Sequence, residues 1–147
     1  MRRLALLLLL FALAANCVAR AETVAELKAR VESARPEDRP GLCAHIAELQ
    51  ARAADKLYNE GHVDEARAAV EDAADYFEKA RDAAIESKSH LKNVEIDARK
   101  TSDKLHDMKR TLAFEDQAPV EKAIRRIEDV RTALLKEMFS EKKKGKK

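Results

Sequence analysis

Apolar residues recur every three or four positions along most of the chain, which is the spacing of one face of an α-helix. The longest run begins at Val63 and holds 15 consecutive positions, 13 of them apolar. Because no Gly or Pro interrupts residues 62–118, the run predicts one long central helix over about 63–113 with a coiled-coil-like seam. The seam positions are Val63, Ala66, Val70, Ala73, Phe77, Ala80, Ala84, Ser87, Leu91, Val94, Ala98, Thr101, Leu105, Met108 and Leu112.

Three shorter helices are predicted around the long one, at about 24–34, 40–60 and 119–139. Thr23 and Glu26 have the spacing of a capping box, which starts the first of them. Gly61 suits a left-handed residue after the end of the second helix, and Pro119 suits the first turn of the last one. The sequence therefore predicts an all-α fold, an extended antiparallel bundle in which the short helices pack on the long one.

This architecture leaves part of the long helix uncovered. The helices at 40–60 and 119–139 would each cover one half of it, and the second half would be a two-helix hairpin that buries too little surface to be stable alone. We therefore expect the chain to pair with another protein chain, either a different protein or a second copy of itself as a homodimer. The alternative is a break near residues 87–90 that folds the chain into a compact bundle, and it ranks second because no Gly or Pro lies there.

Residues 53–73 resemble a single tetratricopeptide repeat. The matching features are Ala53-Ala54 followed by Leu57, then Gly61, then Val63-Asp64-Glu65-Ala66 with Val70 and Ala73. In that family small residues let two helices approach closely and a glycine makes the turn between them. The resemblance implies a tight helical hairpin and a role in binding.

Residues 1–21 have the pattern of a secretory signal peptide. A basic start at Met1-Arg2-Arg3 precedes an apolar run from Leu4 to Ala15, and Ala19-Arg20-Ala21 provides small residues for cleavage between Ala21 and Glu22. The sequence thus predicts a secreted or periplasmic protein. Residues 14–17 also resemble a lipoprotein box, so lipidation of Cys17 is an alternative that would place the chain at a membrane.

After cleavage at Glu22, we expect one helical domain over 22–140 and a disordered Lys-rich tail over 141–147. The mature chain has 26 basic and 27 acidic residues, but they are unevenly spread. Residues 22–86 have a net charge of −7 and residues 87–147 a net charge of +6. The near-zero total does not favour nucleic-acid binding, and the asymmetry favours antiparallel self-association.

Signatures of catalysis and cofactor binding are missing from the sequence. It has no Gly-rich phosphate loop, no CxxC and no HExxH. His45 with Glu48, and Asp103 with His106, have the spacing of weak metal-ligand pairs. In a chain this rich in acidic residues such pairs also arise as ordinary surface residues. We predict no catalytic site, no metal site and no cofactor.

Two surfaces are candidates for contact with partners. Tyr76, Ile85 and Ile96 are apolar residues beside the seam and form a possible partner surface. The tail lysines could contact an anionic surface, and they are Lys142, Lys143, Lys144, Lys146 and Lys147.

Three functions follow from these patterns. The first is a non-enzymatic scaffold or adaptor that acts by protein–protein interaction. The second is a periplasmic helical chaperone, and the third is a metal- or cofactor-binding helical bundle.

Overall fold

The computed structural model describes residues 22–144, with side chains described as far as Ser140, and it is all-α over that range. The predicted signal peptide, together with Lys146 and Lys147, lies outside the described residues. The prediction of an all-α fold is confirmed for the described range. The five helices are α1 (Val24–Ser33), α2 (Arg39–Asn59), α3 (Val63–Ser87), α4 (Leu91–Thr111) and α5 (Phe114–Lys144).

The predicted continuous helix over 63–113 is wrong. It is two helices, α3 and α4, separated by residues 88–90. Lys88 has a φ of 54° and His90 a φ of 58°, so two residues that are not glycine adopt the left-handed conformation. Because neither residue is a glycine, the sequence lacks the usual signal for such a break. Each left-handed residue costs about 1 kcal/mol or more. Packing the α4–α5 hairpin onto the α2–α3 hairpin buries the seam, and this burial outweighs the cost.

The seam itself was identified correctly. All of its positions are buried except Val63, Ser87 and Leu112, which are half-buried at the helix ends. A chain reversal between Ser87 and Leu91 lets both halves of the same stripe face one core. The helical period therefore predicted which residues are buried, although it could not predict that the helix turns back.

Local chemistry explains the other boundaries. The Thr23 hydroxyl accepts from the Glu26 amide at 3.2 Å and the Glu26 carboxylate accepts from the Thr23 amide at 2.7 Å, which is the predicted capping box. At the end of α2, Gly61 has a φ of 82°, and the amides of Gly61 and His62 donate back into the last turn. The last helix differs from the prediction, since it begins at Phe114 and encloses Pro119.

Two antiparallel hairpins, α2–α3 and α4–α5, pack against each other around one core. In this arrangement α3 lies beside α5 and α2 lies beside α4. The core includes Phe77, Ile46 and Ile127, which are all fully buried. Helix α1 packs on α2 through Leu27 and reaches α3 through an ion pair between Lys28 and Asp72 at 2.5 Å.

The two hairpins bury matching positions. In α2 and α4 the buried positions correspond at an offset of 51 residues, and in α3 and α5 at an offset of 50. Ala47 thus corresponds to Ala98, and Phe77 corresponds to Ile127. The molecule is a pair of similar hairpins with α2 parallel to α4 and α3 parallel to α5. The matched sets are 40/91, 43/94, 47/98, 51/102 and 54/105, then 70/120, 73/123, 74/124, 77/127, 80/130 and 84/134.

Candidate functional site

An open groove of about 450 Å³ lies between α2 and α4. These two helices run side by side but diverge enough to leave space above the core. The groove extends along the ends of the helices that are farther from the α3–α4 linker. Its lining residues are Glu48, Ala51, Arg52, Asp55 and Asn59 from α2, and Thr101, Lys104, Leu105, Asp107, Met108 and Thr111 from α4.

The floor of the groove is apolar. On the α4 side it consists of Leu105, Met108 and the nearly buried Thr101, all of them seam positions. On the α2 side it consists of Ala51, which is 7% exposed. A single methyl group on α2 is too short to fill the space in front of two long side chains, and we infer that this difference in size opens the groove.

The rim of the groove is charged and exposed. Arg52 pairs with Glu48 at 3.6 Å within α2, and Asp107 pairs with Arg110 at 2.7 Å within α4. Asp55 and Lys104, the remaining charged rim residues, are exposed on opposite walls. No ion pair joins α2 to α4 among the described residues. The walls are therefore not tied to each other, and their charges remain accessible to an incoming chain.

The other helix pair, α3 and α5, is tied together by charge. The Arg126 guanidinium on α5 contacts Glu71 at 2.9 Å, Asp75 at 2.5 Å and Glu78 at 2.8 Å on α3. The hydrogen bond from Arg126 lowers the pKa of Glu78, and the bond to Glu78 raises the pKa of Arg126. This cluster closes the α3–α5 face.

A second charged contact closes the same face near its start. Arg67 on α3 pairs with Asp116 on α5 at 2.6 Å. The Tyr58 hydroxyl and the Arg67 Nε atom are buried beside this pair without a hydrogen-bond partner. Burial raises the pKa of Tyr58.

Cys43 is a buried thiol. It is 2% exposed and belongs to the core, as expected for a residue in the apolar stripe of α2. Burial raises its pKa, which keeps the sulfur in its less reactive thiol form. The described residues thus offer no activated cysteine nucleophile.

Tyr76, one of the three residues of the predicted partner surface, is buried rather than exposed. This residue is 8% exposed and part of the core, with Lys79 Nζ at 4.4 Å and Lys28 Nζ at 5.0 Å from the ring centre. Its ring is covered because α1 packs across α2 and α3 and brings Lys28 over it. Ile85 is half-buried against the core, and Ile96 is half-buried on α4. The structure therefore does not bring the three residues together as one exposed patch.

The predicted tail begins inside a helix. The backbone of Lys142, Lys143 and Lys144 forms the end of α5, so the helix extends past the predicted end at 139. Contact of these lysines with an anionic surface stays a prediction.

The weak metal-ligand pairs do not grow into a site. His45 and Asp103 are exposed, while Glu48 and His106 are half-buried on their helices. Within residues 22–144, no group of three or more His, Cys, Asp or Glu side chains is arranged to hold a metal ion. Over the same range, no helix is long and apolar enough to cross a membrane.

Comparison with known proteins gives no relative for this chain. No protein-family model, no curated protein and no solved structure matches it. The groove is therefore the feature from which function is inferred. The α4 side of its floor was predicted as core, but the sequence pattern did not reveal its opening.

Proposed function

We propose that the chain is a non-enzymatic binding protein, a scaffold or adaptor that acts after export by holding an amphipathic helix of a partner in the α2–α4 groove. The observation that carries this proposal is an apolar floor beneath a charged, accessible rim in about 450 Å³. A helix that buries an apolar face in a groove and pairs its charged residues along the rim is a common mode of peptide recognition.

The molecule itself contains a model for this mode of binding. Helix α1 is a short amphipathic helix that lies over α2 and α3 with Leu27 buried and with Lys28 paired to Asp72. Helix α2, on which α1 packs, also forms one wall of the α2–α4 groove, and no described helix covers that groove. The resemblance of the α2–α3 hairpin to a tetratricopeptide repeat also favours a binding role, because that family binds proteins through helical hairpins.

The charges suggest which helix would fit. Asp55 lies on one wall of the groove and Lys104 on the other, and neither has an ion-pair partner among the described residues. A partner helix with one basic and one acidic flank beside its apolar face would match both walls. We expect charged contacts at the rim to set the orientation of the helix and the apolar floor to supply most of the affinity.

A displayed library of amphipathic helical peptides of about 20 residues tests this proposal. We expect selected peptides to bind the chain beginning at Glu22 with micromolar Kd, by fluorescence anisotropy. Asp55→Trp places a large ring over the floor from an exposed position, and it should weaken binding at least about tenfold because the peptide loses its apolar contacts. Lys136→Trp adds the same ring on the exposed face of α5 and should leave Kd unchanged.

Two results would contradict the proposed mode. Equal loss of affinity in both tryptophan variants would place the peptide outside the groove. Failure to select any helical peptide, with the fold intact by circular dichroism, would remove the support for helix recognition.

A periplasmic chaperone is the second candidate function, because an apolar floor under charged walls also suits segments of an unfolded client. The test is light scattering during aggregation of reduced insulin chains. Suppression at equimolar chaperone, lost in Asp55→Trp but kept in Lys136→Trp, would favour this function. No effect at molar excess would reject it and leave the scaffold proposal in place.

A further inference from the structure

We propose that the linker at residues 88–90 is a hinge through which two copies of this chain exchange their α4–α5 hairpins. In the exchanged dimer α3 and α4 of each copy form one straight helix over residues 63–111. The α4–α5 hairpin of one copy then packs on the α2–α3 hairpin of the other. Every core contact between the two hairpins of the single chain is formed again, but between copies, while the contacts within each hairpin stay in one copy.

The sequence pattern supports this exchange because the seam runs unbroken through the linker. Ser87 and Leu91 are consecutive seam positions four residues apart. In a straight helix that spacing places Leu91 one turn beyond Ser87 on the same face. The stripe that closes on itself in the single chain would therefore form one continuous apolar face, ready to be covered by a second copy.

The backbone of the hinge also favours the straight form. Lys88 and His90 both hold positive φ values without being glycine. In a straight helix both residues would return to the right-handed conformation that ordinary residues prefer. The exchange thus removes two unfavourable conformations in each copy.

Specific hydrogen bonds hold the hinge closed in the single chain. The Ser87 hydroxyl lies 2.7 Å from the Ser89 hydroxyl. The Ser89 hydroxyl donates to the Glu37 carbonyl at 3.0 Å, which ties the hinge to the loop before α2. Because serine side chains satisfy the backbone where the helix stops, these bonds account for a closed form without a glycine.

Charge identifies a second copy as the partner. The largest ion-pair cluster between the two hairpins joins acidic residues of α3 to a basic residue of α5, with Arg126 bonded to Glu71, Asp75 and Glu78. The Arg67–Asp116 pair joins the same two helices with the opposite polarity. Residues 22–86 have a net charge of −7 and residues 87–147 a net charge of +6. The acidic half of one copy therefore attracts the basic half of another as it attracts its own.

Cross-linking distinguishes exchange from simple side-by-side pairing. The experiment uses a Cys43→Ala chain beginning at Glu22, which contains every described helix. In it, Glu71→Cys on α3 and Lys122→Cys on α5 replace an ion pair between the two hairpins, whose charged atoms lie 3.2 Å apart. After refolding at high concentration and isolation of the dimer, a short bismaleimide should join these cysteines between copies. The product would be a covalent dimer on a denaturing gel.

A matched pair controls for cross-linking chemistry. Glu95→Cys and Arg131→Cys replace an ion pair at 3.2 Å within the α4–α5 hairpin. These two residues stay in the same copy whether or not exchange occurs, so this variant should give cross-linked single chains from both monomer and dimer. A dimer in which both variants cross-link only within single chains would overturn the proposal.

Hinge variants test the direction of the effect. Lys88→Ala with His90→Ala favours the straight helix, whereas Lys88→Gly with His90→Gly removes the penalty for the closed form. At one refolding concentration we expect the dimer fraction, from size exclusion with light scattering, to differ by about tenfold or more between the two variants. Lys92→Ala with Asn93→Ala, both exposed in α4 beside the hinge, should behave like the parent chain.

Two results with the hinge variants would contradict the exchange. A monomer at every concentration in the alanine variant, with native helix content, would overturn the proposal. So would equal dimer fractions in the alanine and glycine variants. Neither result bears on peptide binding in the groove, because the exchange rests on the hinge and the seam alone.

Discussion

Each of the two similar hairpins contributes one helix to the α3–α5 pair and one helix to the α2–α4 pair. The space between α3 and α5 is closed, whereas the space between α2 and α4 is an open groove. Val70 and Phe77 on α3 belong to the same buried core as Val120 and Ile127 on α5, and Arg126 ties the two helices together outside this core. In α2 the residue at the floor of the groove is only an alanine, Ala51, and no ion pair joins α2 to α4 among the described residues. The α2 core positions are Pro40, Cys43, Ala44, Ile46, Ala47, Ala51 and Ala54.

This comparison shows that a shared helical stripe does not decide how tightly two helices close. The stripe places apolar residues on the inner face of every helix, but side-chain volume and cross-helix charge decide whether the space between neighbours is filled. One side of the molecule is therefore tied by ion pairs, while the other keeps an open groove above its buried floor. A binding function fits best where the same core that stabilises the fold is left partly uncovered.

Enlarging one alanine on the α3–α5 side and one on the α2–α4 side should give the largest difference in the free energy of unfolding. Ala73→Leu on α3, at a fully buried position, should lower the free energy of unfolding by about 2 kcal/mol or more, because the closed side has no room for three extra carbon atoms. Ala51→Leu should change it by less than about 0.5 kcal/mol, since the new side chain extends into the groove. Urea denaturation measures both. Equal destabilisation would mean that the two sides are packed alike.

How far the sequence predicts this contrast can be judged from particular residues. The stripe identified Phe77, Leu105 and Met108 as core, and Gly61 was correctly placed at the turn after α2. The break at residues 88–90 was expected only as the second-ranked alternative, because no Gly or Pro marks it and a hydrogen bond to a distant loop helps to hold it. The groove also escaped prediction, because it depends on which side chains face each other across two helices far apart in sequence.

Removing the positive charge of Arg126 should give the second-largest effect on the free energy of unfolding. Arg126→Met should destabilise the fold by about 1–2 kcal/mol, because Glu71, Asp75 and Glu78 would remain close together without a counter-charge. Arg125→Met is the matched control on the same helix. Arg125 is largely exposed and, among the described residues, bonds to Glu121 alone, at 3.4 Å, so its loss should cost less than about 0.5 kcal/mol. Similar midpoints of thermal unfolding for the two variants would show that the cluster does not hold α3 to α5.

The smallest expected effect is on the pH dependence of stability, and it tests the same cluster without changing the packing. The hydrogen bond from Arg126 lowers the pKa of Glu78 below its ordinary 4.5. The bond therefore stabilises the fold fully above that value, and its contribution is lost as the pH falls through the lowered pKa.

Urea midpoints measured from about pH 6 to about pH 3 should fall in the parent chain, with Glu78 contributing no more than about 1 kcal/mol because solvent screens a partly exposed pair. Arg126→Met should show a shallower fall, and Arg125→Met should follow the parent chain closely. If Arg126→Met lost stability as steeply as the parent, the acid sensitivity would arise at other carboxylates. Candidates are Asp72 and Glu121, whose pKa values are also lowered. For Asp72, burial alone would raise the pKa, and the bonds from Lys28 and Gln50 outweigh it. The α3–α5 side would then owe its closure to apolar packing rather than to charge.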